Sequence, residues 1–336
     1  MAEINRRWLL KSRPSGALKD SNFEFVQQNV PEIGEGQILV RVLMLSCDPT
    51  QRMWIATDTY LPAVEIGEVV RSAGAGRVVK SRHRGFSEGD LVAGLLGWQD
   101  YAAIDPRGVT GVSKLPPGTP LDKALGVLGM NGMTAYFGLL DVGRPKQGET
   151  VVVSGAAGAT GSVAGQIAKI KGCRVIGIAG GADKCRWVTD VAGFDAVIDY
   201  KAENVGARLR ELCPKGIDIY FDNVGGEALD AALAHLALRG RVVLCGAISG
   251  YDTDKLPPGP RHYVNLIVQR GRMEGFIVLD YYDRAQEAVT ALAGWLAEGR
   301  LKDQTDVMEG LENAPAALRR LFDGSNRGKQ LVHVAN

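Results

Sequence analysis

At residues 151–161 an apolar run, VVVS, breaks into GAAGATG, and an amphipathic stretch, SVAGQIAKIKG, follows at once. A second apolar run, CRVIGIAG, comes about twenty residues on, so the order is strand, small-residue turn, helix, strand. Such a turn brings the unpaired amides and the positive end of a helix up to whatever lies beside it. In dinucleotide-binding turns one glycine makes the bend, a second admits the pyrophosphate and a third lets the helix pack on the strand. Here Ala156-Ala157-Gly158-Ala159-Thr160-Gly161 puts alanine in the first place and glycine in the other two.

The alternation continues beyond this unit. A helix through ADKCRWVTDVAG, a strand DAVIDY, a helix near ENVGARLRELC and strands in IDIYFDNVG, RVVLCGAIS and RMEGFIVLD predict a parallel sheet with helices on both faces. Before residue 120 the text differs. GQILVRVLMLS, VEIGEVV, GRVVKS and DLVAGLL read as short strands between Gly, Pro and Asp turns, which predicts a barrel or sandwich. PPGTP at 116–120 breaks the chain, and the closing ENAPAALRRLFDGSNRGKQLVHV reads as helix, glycine turn and strand. The expected organisation is a β domain over 1–120, a doubly wound α/β domain over 121–300 and a C-terminal return to the first domain over 301–336.

Composition narrows the function. The 336 residues carry 39 Lys and Arg against 38 Asp and Glu, so no broad basic field is present to hold a nucleic-acid backbone. The basic run Lys80-Ser81-Arg82-His83-Arg84 reads as a solvated turn. No apolar run is long enough for a membrane span, and the five scattered cysteines form no C-x-x-C, which fits reduced thiols in the cytoplasm. None of the four histidines pairs with Ser or Cys in a nucleophile motif.

The second strand of the βαβ unit decides the cofactor. NAD-binding units place an acid at its tip to hold the ribose 2′-hydroxyl. Here the tip is Gly180-Gly181-Ala182, and Lys184 follows as a cation for a 2′-phosphate; Asp183 pulls the other way. The balance favours NADPH.

The blocks LSCDPTQRMW (45–54), MNGMTAYFGL (130–139), SGAAGATGSVAGQIAKIKGCRV (154–175), FDNVGGE (221–227), CGAISGYD (245–252), RMEGFIV (272–278) and GSNRGKQLV (324–332) resemble a known family nearly end to end. The chain is similar to the zinc-independent medium-chain dehydrogenase/reductases, in the branch of leukotriene B4 12-hydroxydehydrogenases, prostaglandin reductases and alkenal double-bond reductases. The resemblance implies a GroES-like β-barrel catalytic domain, a Rossmann-type cofactor domain and a homodimer. It also implies NADPH-dependent reduction of a carbon–carbon double bond conjugated to a carbonyl. In that chemistry hydride goes to the β-carbon and an enolate forms.

Carried over by position, Gly158, Ala159, Thr160 and Gly161 meet the pyrophosphate, and Lys184 and Tyr200 the 2′-phosphate. Asn223, the run from Cys245 and Gly246 to Tyr251, the run Phe276, Ile277 and Val278, and Asn326 meet the rest of the cofactor. Tyr251 occupies a substrate-site position and is the candidate donor to the carbonyl oxygen, together with the cofactor's own 2′-hydroxyl. Arg52 and Tyr60 could shape the mouth of the cleft. Two departures bear on substrate. The family's DPYMR is Asp48-Pro49-Thr50-Gln51-Arg52 here, and a tyrosine found in some members is Val268. Zinc-dependent relatives use a cysteine and a His-Glu pair; this chain has Cys47 but Ile66-Gly67-Glu68, so no metal is expected. Two alternatives share the same turn: a quinone reductase of the superfamily, and a dinucleotide-binding protein without turnover.

Overall fold

The computed structural model describes residues 3–107, 111–253 and 258–335. Its backbone divides into two compact units, Met1–Gly126 with Tyr251–Asp254 and Thr305–Asn336, and Val127–Gly250 with Lys255–Gln304.

The second unit is built on a six-stranded parallel sheet. Its strands in chain order are Thr150–Ser154, Arg174–Ala179, Ala196–Asp199, Ile217–Asp222, Leu236–Leu244 and Arg272–Gly275. In space they run third, second, first, fourth, fifth, sixth, so the winding reverses between Thr150–Ser154 and Ile217–Asp222. Both faces are covered, which is why these strands read as unbroken apolar runs rather than alternating ones. Val151, Val153, Ile219 and Phe221 feed one core, with Val163 and Ile167 of the helix Ala159–Ile170. Val152 and Tyr220 feed the other, with Leu209 and Leu233 of the helices Val205–Leu212 and Gly226–Ala234.

The first unit holds a seven-stranded, mostly antiparallel sheet. Its order is Thr305–Glu309, Lys329–His333, Ile38–Ser46, Ala73–Ser81, Leu91–Leu95, Ser113–Lys114, and Tyr101–Ile104 also pairs with Ile38–Ser46. The core packs Trp98, Ile38, Val40 and Val42 with Leu318 and Val332 of the C-terminal segment. There the helix Ala314–Asp323 ends on Gly324 in the left-handed region, and Lys329–His333 runs antiparallel to Ile38–Ser46.

Three elements depart from the sequence-based expectation. VEIGEVV (64–70) is not a strand: Gly67 takes φ +90° and turns the chain, Ile66 is exposed, and Val69 makes only an isolated bridge to Leu9. In RMEGFIVLD the strand stops at Gly275, and Val278–Arg284 is a 3-10 helix. The strand Thr305–Glu309 was unforeseen because TDVME is a short, half-exposed edge with no apolar run.

Candidate functional site

The glycine turn lies at the carboxyl edge of the parallel sheet, beside the point where the winding reverses. In open α/β sheets that is where ligands bind. Its geometry corrects one expectation. The bend is made by Gly155, which takes φ +61°, while Ala156 is fully buried with its N–H donating to Ile178 O at 3.0 Å. The bend glycine is thus present, one position earlier than the alignment on Ala156 supposed, and the spacing G-x-x-G-x-x-G over 155–161 is the signal for it. Gly158 is the N-cap of Ala159–Ile170, and no side chain caps this helix, so its first-turn amides, including those of Ala159 and Thr160, are left for a ligand. Gly161 has no room for a side chain: a Cβ there would press into the Gly155 carbonyl and lie 3.2 Å from Asn223 Nδ2. Asn223 is joined to the same turn, its side-chain amide donating to Ser154 O at 2.7 Å and its N–H to Ser154 Oγ at 2.9 Å.

The tip of the second strand also fits a phosphate. A Cβ on Gly180 would lie 2.6–2.9 Å from Tyr200 ring atoms, so the half-exposed tyrosine ring sits over the tip. Lys184 lies in the first turn of the helix Ala182–Asp190. Asp183, the residue that argued against a 2′-phosphate, is ion-paired with Arg186 on the same exposed helix face. Asp199, at the end of the neighbouring strand, is engaged by the backbone, its Oδ1 accepting from Gly181 N at 2.9 Å and Lys201 N at 3.0 Å.

Cys245 and Gly246 follow the fifth strand, and both N–H groups donate to Asp222 O, at 2.9 and 3.0 Å. Burial and the nearby Asp222 push the Cys245 thiol up to about 12, so it is no thiolate at neutral pH. Phe276 packs its ring on Gly138 and lies edge-on to Tyr281 at 6.4 Å, while Ile277 and Val278 open the 3-10 helix. These groups, with the glycine turn and the Gly180 tip, all belong to the second unit. Tyr251 and Asn326 group with the first. Asn326 is buried and donates to Gly328 O at 2.9 Å, at the turn before the last strand.

Comparison with known proteins now adds its evidence. Residues 6–112 match the family described as N-terminal domain of oxidoreductase, and residues 159–294 the family described as zinc-binding dehydrogenase. The NADPH-dependent curcumin reductase of Escherichia coli (strain K12) is 43% identical, with 98% of this chain and 97% of that protein covered. The 2-alkenal reductase (NADP(+)-dependent) of Nicotiana tabacum is 40% identical, with 98% of each covered. The crystal structure of CurA in complex with NADPH from Vibrio vulnificus superposes with a TM-score of 0.93 at 42% identity, over 98% of this chain and 99% of that one. The chain belongs to the medium-chain dehydrogenase/reductase superfamily.

Among the described residues of this dehydrogenase/reductase no cluster of three or more His, Cys, Asp or Glu could hold a metal ion. Cys47 is buried, its thiol pushed up to about 12 by desolvation first, while Glu68 is exposed. Lys329 explains that corner instead: its ammonium, 3% exposed, donates to Cys47 O at 3.1 Å and pairs with Asp48 at 2.6 Å. The histidines make local contacts; His333 meets Glu309 at 2.6 Å and His83 accepts from Gly85 N at 2.9 Å.

Arg52 of this dehydrogenase/reductase is buried, 3% exposed. Its guanidinium donates to Gly16 O at 2.9 Å and lies 3.5 Å from Asp252, whose carboxylate also accepts the Leu18 N–H at 3.2 Å. Arg52 therefore tethers the segment that carries Tyr251. Thr50 stands where the family has an aromatic, and its hydroxyl is 3.0 Å from that of the exposed Tyr60.

Proposed function

We propose that this chain is an NADPH-dependent reductase of the carbon–carbon double bond of α,β-unsaturated aldehydes and ketones. The observation that carries the cofactor is the carboxyl edge of the sheet: an uncapped helix start behind Gly155, Gly158 and Gly161, and a strand tip with Gly180, Tyr200 and Lys184 but no ribose-binding acid. The NADPH named for the curcumin reductase and CurA, and the 2-alkenal named for the tobacco relative, support the same cofactor and substrate class here.

When bound, NADPH supplies the hydride that adds to the β-carbon. The residues of the chain then have the task of holding the charge that gathers on the carbonyl oxygen. A hydrogen bond to that oxygen lowers the barrier, and Tyr251 is assigned that role. Its phenol O–H can donate, and donation strengthens as the oxygen becomes an enolate. The Arg52–Asp252 tether orients the segment that presents it.

The test is loss of NADPH absorbance with a 2-alkenal, an alkenone and a benzoquinone in parallel, each repeated with NADH. Turnover of the first two with NADPH supports the proposal; turnover of the quinone alone would replace it with a quinone reductase. Tyr251→Phe should lower kcat for the enone about a hundredfold with little change in NADPH affinity. An undiminished kcat removes Tyr251 from the role.

The protein is further proposed to be a cytoplasmic homodimer. All five cysteines are unbridged, and no described helix is long and apolar enough to cross a membrane. Arg272–Gly275 is the edge of the parallel sheet, and the short helix Asn265–Val268 just before it leaves Ile267 74% and Val268 56% exposed, beside exposed Tyr263 and Val264. An open edge beside an apolar face calls for a partner. Sedimentation of Ile267→Asp should show monomer; an unchanged species would move the interface elsewhere.

A further inference from the structure

Asp222 ends the fourth strand of the parallel sheet, at the point where the winding reverses, and none of its surface is exposed. No cation meets it. One carboxylate oxygen, Oδ1, accepts four hydrogen bonds: from Ser154 Oγ at 2.8 Å, Tyr220 OH at 3.1 Å, and the N–H groups of Val224 and Gly225, both at 3.0 Å. Its main-chain oxygen takes the N–H groups of Cys245 and Gly246. Desolvation pushes this carboxyl above the ordinary aspartate range, against the pull of the Gly225 and Val224 amides.

The partners are distributed in a telling way. Ser154 opens the glycine turn of the first strand, Val224 and Gly225 form the turn after the fourth, and Cys245 and Gly246 form the turn after the fifth. Three neighbouring loops at the carboxyl edge thus hang on one residue, and Asn223 between them reaches back to Ser154 O. Tyr220 differs: it is fully buried in the core below and belongs to no loop.

We infer that Asp222 is a positioning residue for the cofactor, holding the Gly155–Gly161, Asn223–Gly225 and Cys245–Gly246 loops in one register through Ser154 and the loop amides. This rests on the NADPH site proposed above. The carboxylate oxygen suits the task because it accepts four donors with none of its own and so serves Ser154 and the turn after the fourth strand together, while the main-chain oxygen takes the turn after the fifth. Asp222 Oδ2 is buried and takes no hydrogen bond among the described residues, so Oδ1 alone carries the side-chain network.

The experiment exploits two hydroxyls on the same oxygen. Ser154→Ala and Tyr220→Phe each delete one hydrogen bond to Asp222 Oδ1, but only the first touches a cofactor loop. NADPH binding is titrated by the change in its fluorescence, with thermal melting of the same samples. Ser154→Ala, which also leaves the Asn223 N–H without its hydroxyl, is expected to raise the NADPH dissociation constant about tenfold. Tyr220→Phe is expected to lower the melting temperature while changing that constant less than about twofold. Equal effects of both on affinity, or no effect of Ser154→Ala, would overturn the inference and leave a merely structural network. Should Ser154→Ala not fold, Asp222→Asn replaces it, with the same loss of affinity expected and unchanged affinity refuting it. Failure of the wild type to bind NADPH would instead refute the cofactor site itself.

Discussion

The two edges of the six-stranded parallel sheet are made from the same strands and carry opposite chemistry. At the amino edge, charge meets charge. Arg241 and Glu149 pair with both side chains largely buried, Lys169 holds Asp195 at 2.7 Å, and Asp195 also takes the Val175 N–H. At the carboxyl edge, Asp222 is buried with hydroxyls and amides but no cation, and the helix Ala159–Ile170 starts without a side-chain cap. One edge is closed by its own residues. The other starts a helix without a side-chain cap, an arrangement that suits the anionic cofactor proposed to bind there. Stability resides in the first and binding in the second, so substitutions at the two edges should separate these properties.

The largest effect is expected from Gly161→Ala. Its methyl group has no space against the Gly155 carbonyl, so the helix must shift from the turn, and NADPH affinity should fall about a hundredfold by titration. At the other edge Gly148→Ala meets nothing within 4 Å and suffers only its φ of +84°, costing about 1 kcal/mol in stability with no change in affinity. Equal loss of affinity in both would erase the distinction between the edges.

Next comes Glu149→Gln, which leaves Arg241 without its carboxylate. The urea midpoint should report a loss of about 2 kcal/mol, below the range for fully buried pairs because both groups retain some solvent. The dissociation constant of NADPH should not move. A weakened cofactor would mean that the amino edge also shapes the site.

Lys184→Ala tests the outward-facing edge directly. NADPH binding should weaken about tenfold while NADH binding stays as it was, and the difference should shrink as salt rises. Equal weakening of both coenzymes would show that Lys184 supports the helix rather than the 2′-phosphate.

The contrast between the edges was only partly legible in the sequence. The βα alternation, the glycine turn and the acid-free strand tip are written in local patterns, because a parallel sheet needs apolar runs and a phosphate needs small residues before a helix. Ala156 misled because the fingerprint was aligned on it, whereas φ +61° at Gly155 shows which residue bends the chain. Asp222 stood in the block FDNVGGE without standing out, since nothing local says that its carboxylate is buried under three loops. The sequence offers Arg52 for the mouth of the cleft but says nothing of its bond to Gly16 O or its pairing with Asp252. Such facts depend on residues distant in sequence, and periodicity does not carry them. VEIGEVV failed for a simpler reason: its apolar residues alternate like a strand, but Gly67 in the left-handed region turns the chain between them.

The smallest effect is the dependence of stability on pH, and its sign differs between the edges. Burial works against ionised Glu149, but the hydrogen bonds from Arg241 and the Lys146 amide outweigh it and hold the carboxyl below its ordinary range. Its stabilisation is therefore complete above the unfolded value, about 4.3, and fades as pH falls through the depressed folded value. Asp222 runs the other way. Its raised folded value means that its contribution is complete below the unfolded value, about 3.9, and is lost as pH rises through the folded one. In the acid range the two slopes oppose each other. Urea midpoints measured from about pH 3.5 to about pH 6 without cofactor should thus rise less steeply with pH in Glu149→Gln and more steeply in Asp222→Asn, each by under about 1 kcal/mol across the range. Slopes that change in the same direction would mean that the carboxyl edge holds Asp222 as an ordinary paired anion, and the asymmetry between the two edges would then lie in the backbone alone.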